Sequence, residues 1–160
     1  MKIKIPLIIA FIIQLQSVHA SNINVFNFSE FEAFLHRNND TVYVINFWAT
    51  WCVPCRKELP EFEKIHNDYK GDKVKVILVS LDFRSKMETS VIPFIEKNNI
   101  KAEVFLLDDP DSNKWIDKVN PEWSGSLPAT VIYKNDHQLF FERELEYNDI
   151  KHAIDKLNNN

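Results

Sequence analysis

Hydrophobic and polar residues follow one another along the chain in the patterns typical of buried strands and amphipathic helices. β-branched and aromatic residues dominate 41–48 and 73–81, which predicts two buried central strands. Shorter apolar runs predict four further strands at 22–28, 103–107, 129–133 and 138–143. The first of these would lie at a sheet edge, and the last two would form a hairpin through a turn at 135–137.

Apolar residues recur at helical spacing between these runs. The spacing predicts helices over 29–37, 53–69, 85–98, 115–119 and 148–157. Ser29 with Glu32, and Ser85 with Glu88, have the spacing of capping boxes, while Pro60 is expected to bend its helix. Strands that alternate with helices predict an α/β three-layer sandwich with a mixed central sheet and helices on both faces.

The first twenty residues have the pattern of a secretory signal. A short basic start is followed by an apolar run over 5–15, and Val18 and Ala20 are the small residues expected before a cut. The apolar run is shorter than the roughly 20 residues needed to span a bilayer. We therefore expect a signal peptide over 1–20, one domain over 21–160, and a location in the periplasm or another exported compartment. An uncleaved signal that tethers the domain to the membrane is the alternative.

The charge balance excludes nucleic acid and anionic membrane surfaces as partners. The chain has 19 basic and 23 acidic residues. Removing the signal takes away Lys2 and Lys4, so 17 basic residues remain against 23 acidic ones and the net charge becomes −6. Such a domain is mildly acidic and has no cluster of Lys and Arg that could follow a phosphate backbone.

The chain contains two cysteines, Cys52 and Cys55, in the sequence W-C-V-P-C. A structural disulfide usually joins distant segments, because closing a long loop restricts the unfolded chain more than closing a short one. A bridge between residues three apart is therefore expected to serve redox chemistry. A zinc site would need two further ligands, and the histidines show no paired spacing, so no metal and no cofactor is predicted.

The position of the pair matters more than its spacing. It follows a predicted buried strand by three residues and opens a predicted helix. The free N–H groups and the dipole of a helix N-terminus stabilise a thiolate, and Pro54 suits the first helical turn. We expect Cys52 at the exposed tip to attack a disulfide, and Cys55 one turn later to resolve the mixed disulfide.

Two segments carry a family resemblance. They are N-F-W-A-T-W-C-V-P-C-R-K-E-L-P at 46–60 and W-S-G-S-L-P-A-T at 123–130. Together they resemble the thioredoxin superfamily, and most closely its TlpA/ResA-like branch of exported disulfide reductases. The resemblance implies a thioredoxin-like fold and a thiol-disulfide oxidoreductase that reduces protein disulfides, with apocytochrome c in cytochrome c biogenesis as one client. It also implies a membrane electron donor of the DsbD or CcdA type.

The resemblance implies roles for individual residues. Pro128 matches the family's cis-proline beside the cysteine pair, which would present the backbone of Leu127 for short antiparallel pairing with a client. Trp51 would flank the reactive sulfur as an apolar platform. Glu58 matches an acidic residue of this branch and, three residues after Cys55, could exchange protons with it.

The chain also departs from the family pattern. Asn46 stands where thioredoxin proper has a buried aspartate, and an amide cannot take a proton, which leaves Glu58 or water for that role. The glycine that often follows the last strand is missing, and 142–145 stands there instead. The segment 83–120 is longer than in thioredoxin and could shape the choice of partner.

Three functional alternatives differ in their chemistry. Val53 and Pro54 place no cation between the cysteines, so we expect a reductase with a potential nearer thioredoxin than the oxidase DsbA. A peroxiredoxin-like peroxidase would have Thr or Ser three positions before the reactive cysteine and Pro seven positions before it. This chain has Ala49 and Ile45 there, so a peroxide pocket is not expected. A non-catalytic binding or chaperone module would tolerate the loss of Cys52.

Overall fold

The structure, a computed structural model, describes residues 23–159. In this range six strands form one sheet with the order β1-β4-β3-β2-β5-β6. The strands are β1 (Asn24–Phe26), β2 (Val42–Trp48), β3 (Val74–Ser80), β4 (Glu103–Leu107), β5 (Ala129–Lys134) and β6 (His137–Phe141). The helices are α1 (Phe28–Phe31), α2 (Val53–Asp68), α3 (Ile92–Lys97), α4 (Ile116–Val119) and α5 (Tyr147–Asn158).

The sheet is mixed, as the sequence predicts. Strands β1, β4, β3 and β2 pair in parallel, and β5 and β6 add an antiparallel hairpin beside β2. The β-branched and aromatic run of β2 places this strand inside the sheet, where all seven of its residues are buried. The predicted edge position of the first strand is confirmed, because β1 has β4 as its single neighbour in the sheet of residues 23–159.

Two hydrophobic cores lie on opposite faces of the sheet. Alternate residues of β2 point to opposite sides, so Val44 belongs to one core and Ile45 to the other. The first core is covered by α2, α3 and α5, and the second by α1, α4 and the loops around them. Helices therefore cover both faces, and the predicted α/β sandwich is confirmed.

The first predicted capping box is wrong by two residues. Helix α1 begins after Asn27, whose side chain accepts the N–H of Glu30, while the Glu30 carboxylate accepts the N–H of Asn27. Asparagine is as good an N-cap as serine, so two overlapping boxes compete in this segment. Ser29 instead donates its hydroxyl to the Asn27 side chain.

The second predicted capping box, at Ser85 and Glu88, is also wrong. A 3₁₀ turn covers Arg84–Lys86, a π-helical turn covers Met87–Val91, and neither has a side-chain cap. Pro93 lies in the first turn of α3, directly after the π-helical turn. A proline has no N–H to donate to a preceding carbonyl, and in the first turn of a helix that N–H is not needed. By contrast, α2 continues through Pro60 to Asp68.

The predicted signal over 1–20 lies outside the described residues, and the boundaries 1–20 and 21–160 stay predictions. Between residues 23 and 159, none of the helices combines the length and the apolarity required to cross a bilayer.

One edge of the sheet gathers the segments that carry the predicted site. Trp48 at the end of β2 pairs with Ser80 at the end of β3, because the two strands are parallel. Strand β5 runs the other way, so its first residue, Ala129, pairs with Phe47. The cysteines after β2 and Pro128 before β5 therefore lie at the same edge.

Candidate active site

Cys52 and Cys55 form a disulfide at the start of α2, with an S–S distance of 1.98 Å. Cys52 is the N-cap residue, and its Sγ accepts the backbone N–H of Cys55 at 3.3 Å. Cys52 is buried with 5% exposure, and Cys55 is fully buried. Cys52, the cysteine predicted to attack, is thus the more accessible of the two, although it is buried and not at an exposed tip as expected. Pro54 lies in the first helical turn as expected.

The loop between β2 and α2 is fixed by a buried carboxylate that the sequence reasoning missed. Asp82 accepts the backbone N–H of Thr50 at 2.9 Å, the Thr50 hydroxyl at 2.6 Å and the Ser80 hydroxyl at 2.9 Å. The backbone N–H of Cys52 donates to the carbonyl of Ala49 at 3.1 Å. These bonds hold the turn that delivers Cys52 to the helix N-terminus. An aspartate directly after a predicted buried strand is the signal that could have indicated it.

Glu58 is buried one turn after Cys55, with 1% exposure, so it is not a solvated helix residue. Its Oε1 accepts the side-chain amide of Asn46 at 2.7 Å, and its Oε2 accepts the backbone N–H of Leu145 at 2.8 Å. Burial raises the pKa of Glu58 from its ordinary value of 4.5 to about 7, although the bonds from Leu145 and Asn46 oppose the rise. Its predicted proton exchange with Cys55 stays a prediction.

Asn46 connects the carboxyl of α2 to the start of β5. Its Nδ2 donates both to Glu58 and, at 3.0 Å, to the hydroxyl of Thr130. Among the described residues its Oδ1 is buried and has no hydrogen-bond partner. Thr130 is a second residue that the sequence reasoning missed, because its role depends on strand pairing: β2 and β5 place it directly opposite Asn46.

The peptide bond between Leu127 and Pro128 is cis, as the resemblance implied. The preceding loop is closed by the indole N–H of Trp123, which donates to the Ser126 carbonyl at 2.9 Å. Gly125 has a φ of +92°, and a Cβ there would lie 3.1 Å from a side-chain atom of Ile116. The positive φ favours glycine at this position, and a Cβ would in addition require the Ile116 side chain to shift.

A groove of about 490 Å³ is lined by Trp51, the residue before Cys52, and by the loop that precedes Pro128. Trp51 and Leu127 both contribute to its wall, so the structure brings together two residues predicted to contact a client. Trp51 and Phe83 are 64% and 77% exposed and form an apolar rim, while Asp108 and Asp109 add acidic groups. The part of the chain that the structure describes contains no cluster of three or more residues able to hold a metal ion.

These features define a thioredoxin-like protein with a cysteine pair at the start of a helix and a cis-proline at the same edge of the sheet. A family model for the AhpC/TSA family matches residues 16–140. The chain belongs to the AhpC/TSA family, and its resemblance to ResA-like proteins is confirmed by the relatives it matches.

Two curated relatives carry names that describe chemistry. The thiol-disulfide oxidoreductase ResA of Oceanobacillus iheyensis is 46% identical over 96 residues, which cover 60% of this chain and 45% of the relative. The sporulation thiol-disulfide oxidoreductase A of Bacillus subtilis is 33% identical over 63 residues, covering 39% of this chain and 38% of the relative. The chain thus spans less than half the length of either relative.

A solved structure agrees with the fold. The DsbF homologue of Corynebacterium diphtheriae superimposes with a TM-score of 0.60 at 24% identity, covering 74% of this chain and 73% of that one. This likeness supports the thioredoxin-like architecture alone.

Proposed function

We propose that the protein is a thiol-disulfide oxidoreductase that reduces disulfides in client proteins. The observation that carries the proposal is the disulfide-bonded pair at the N-terminus of α2, with Cys52 as the N-cap residue at 5% exposure and Cys55 fully buried. The free N–H groups of a helix N-terminus favour the thiolate of its first cysteine. The names of the matched relatives, which are thiol-disulfide oxidoreductases, support the same chemistry.

The reaction begins with the reduced pair. The Cys52 thiolate attacks one sulfur of a client disulfide, so that a mixed disulfide forms and the other client cysteine leaves as a thiolate. Cys55 then attacks the Cys52 sulfur, which breaks the mixed disulfide, closes the Cys52–Cys55 bridge and releases the second client thiolate. Two electrons pass to the client. Glu58 accepts the proton that Cys55 gives up, and its pKa of about 7 suits a group that must take and return a proton near neutral pH.

The client is held beside Cys52 by the loop before β5. None of the backbone hydrogen bonds found in residues 23–159 uses the N–H or the C=O of Leu127, so both groups are free to pair with an extended client segment. Trp51 and Phe83 supply exposed apolar surface next to that segment.

Insulin reduction with dithiothreitol as the electron source tests the activity. The wild-type protein should accelerate precipitation of the reduced insulin chains, and Cys52→Ser should abolish the acceleration. Cys55→Ser is the matched variant: it should keep the first step and accumulate a mixed disulfide on Cys52 that mass spectrometry detects. If the wild type accelerates insulin reduction no more than Cys52→Ser does, the cysteine pair is idle and the protein is a binding module instead.

A peroxidase is the alternative on the same fold. The residue three positions before Cys52 is Ala49, which is fully buried and offers a methyl group where a hydroxyl would bind peroxide. We therefore expect the reduced protein to consume hydrogen peroxide no faster than Cys52→Ser does. Turnover of peroxide at a rate above that of insulin reduction would reverse the assignment.

The direction of electron flow follows from the residues between the cysteines. Val53 and Pro54 carry no charge, so no side chain between the cysteines stabilises the thiolate as a cation would. We expect a potential near the thioredoxin value of about −270 mV and far from the DsbA value of about −120 mV. Titration of the tryptophan fluorescence in glutathione buffers measures this potential, and a DsbA-like value would make the protein an oxidase.

We also propose export to the periplasm or cell envelope, with cleavage after Ala20. The support is the basic and apolar pattern of residues 1–20. Intact-mass measurement of the tagged protein from the envelope fraction should give a mature form that begins at Ser21, and Ala20→Lys should block its production. Wild-type protein that retains Met1 in that fraction would instead indicate a tethered form.

The electron donor and the client are proposed from the resemblance. A membrane protein of the DsbD or CcdA type would keep Cys52 and Cys55 reduced, and apocytochrome c is one client, in cytochrome c biogenesis. Alkylation of the thiols in cells should show the pair reduced when the donor is present and oxidised when it is deleted. A pair that stays reduced in the deletion strain would exclude that donor.

A further inference from the structure

The segment after β6 carries a carboxylate that the reaction above does not use. Glu142 directly follows Phe141, and Phe141 pairs with Thr130 in the β5–β6 hairpin. Continuing this antiparallel register places Glu142 beside Pro128 and Ala129, at the end of the loop that leads into β5. This is the position where the family pattern often has a glycine and this chain has the segment 142–145 instead.

The Glu142 carboxylate binds that loop through three donors. Oε2 accepts the backbone N–H of Ser124 at 3.1 Å, Oε1 accepts the backbone N–H of Ser126 at 2.9 Å, and Oε1 also accepts the Ser124 hydroxyl. Burial alone would raise the pKa of Glu142, but the bonds from Ser124 and Ser126 outweigh it and hold the pKa below its ordinary value. The carboxylate is therefore charged at neutral pH.

The same loop is held from its other side by Trp123. This indole is 3% exposed, packs against Phe47 and donates to the carbonyl of Ser126. Trp123 thus fixes the inner side of the loop, and Glu142 fixes the backbone N–H groups that face outward. Trp123 and the two serines that Glu142 binds all lie within four residues of Leu127, whose backbone is the proposed pairing site for a client.

We propose that Glu142 is a positioning residue that holds the Ser124–Ser126 loop in the conformation that binds a client disulfide segment. This inference rests on the proposed function and adds to it how the client site is kept ready. A loop already ordered before binding loses less conformational entropy when the client pairs with it, so its contribution appears as affinity. Glu142 touches neither sulfur, and its effect should fall on KM for the client and not on the chemistry of the cysteines.

Insulin reduction, with KM and kcat measured separately, tests the proposal. Glu142→Ala removes all three acceptor contacts and should raise KM about tenfold, which corresponds to ~1.4 kcal/mol. Glu142→Gln keeps one acceptor oxygen and should raise KM by a factor of about three. For both variants kcat should change by less than a factor of about two. Glu122→Gln is the matched control, since it makes the same charge change on an exposed residue of the same region.

Two further measurements separate positioning from a general structural role. Reduction of the small disulfide DTNB needs no extended pairing, so the Glu142 variants should lose far less activity with DTNB than with insulin. Ser124→Ala removes one of the same hydrogen bonds from the other partner, so adding it to Glu142→Ala should raise KM no further.

The outcomes distinguish this inference from the proposed function. A wild-type protein that reduces neither insulin nor DTNB would refute the oxidoreductase itself. A wild-type protein that reduces both, together with Glu142→Ala at wild-type KM, would refute the role of Glu142 alone. Equal losses with insulin and DTNB would also overturn it, because Glu142 would then act on the cysteines or on the stability of the whole fold.

Discussion

Replacing Glu58 by glutamine should change how the stability of the oxidised protein depends on pH. The folded protein raises the pKa of Glu58 from 4.5 to about 7, so between these values the folded state binds more protons than the unfolded state. Stability from this group is present below about pH 4.5 and is lost as the pH rises through 7. Because one pKa unit corresponds to about 1.4 kcal/mol, the loss amounts to ~3 kcal/mol.

Glu58→Gln removes the titrating proton, and its other effects on packing and hydrogen bonds do not depend on pH. As the pH rises from about 4 to about 8, the wild type should therefore lose ~3 kcal/mol of unfolding free energy relative to the variant. Urea unfolding with the disulfide intact, followed by tryptophan fluorescence, measures this difference. Glu61→Gln on the same helix is the control. Parallel pH profiles for wild type and Glu58→Gln would refute the raised pKa.

Three further changes test the surroundings of the site. Asn46→Asp would place a second carboxyl 2.7 Å from that of Glu58. The free energy of unfolding in urea should therefore fall by several kcal/mol at pH 8 and recover at pH 5, and equal losses at both pH values would contradict this. Gly125→Ala forces a side chain to φ +92° and should cost about 1–2 kcal/mol, and an unchanged melting temperature would refute this. Asp82→Asn would turn an amide N–H toward the N–H and hydroxyl donors of Thr50. The free energy of unfolding in the same urea assay should fall by about 1–3 kcal/mol, and Thr50→Val should lower it by less.

The cysteine site could be predicted because its signals are local. The buried run of β2, the short turn and the start of α2 are adjacent in sequence, and each has a recognisable pattern. Helix caps were less predictable, although they are equally local. Asn27 and Ser29 offer the same chemistry two residues apart, and periodicity does not reveal the π-helical turn that precedes Pro93.

The contacts around Glu58 could not be predicted, because they join distant parts of the chain. Asn46 is 12 residues away and Leu145 is 87 residues away, and Asn46 in turn reaches Thr130. Helical spacing indicated that Glu58 lies one turn from Cys55, but it did not distinguish a buried side chain from a solvated one. The Glu58 carboxylate is bonded by the N–H of Leu145, in a segment (142–145) that is neither helix nor strand and whose position the sequence pattern does not indicate.

On β2 this chain has Asn46 where thioredoxin has an aspartate. Glu58 is therefore the one carboxyl in the hydrogen-bonded group of Asn46, Glu58 and Thr130. Two carboxyls separated by 2.7 Å would titrate as a coupled pair, with one proton held to high pH and the other lost at low pH. Neither member of such a pair would be suited to exchange a proton near neutrality. An amide in that position instead donates to the carboxylate and has no charge, so burial sets the pKa of Glu58 at about 7. The departure from the thioredoxin pattern at Asn46 and the buried glutamate on α2 are therefore two parts of one arrangement.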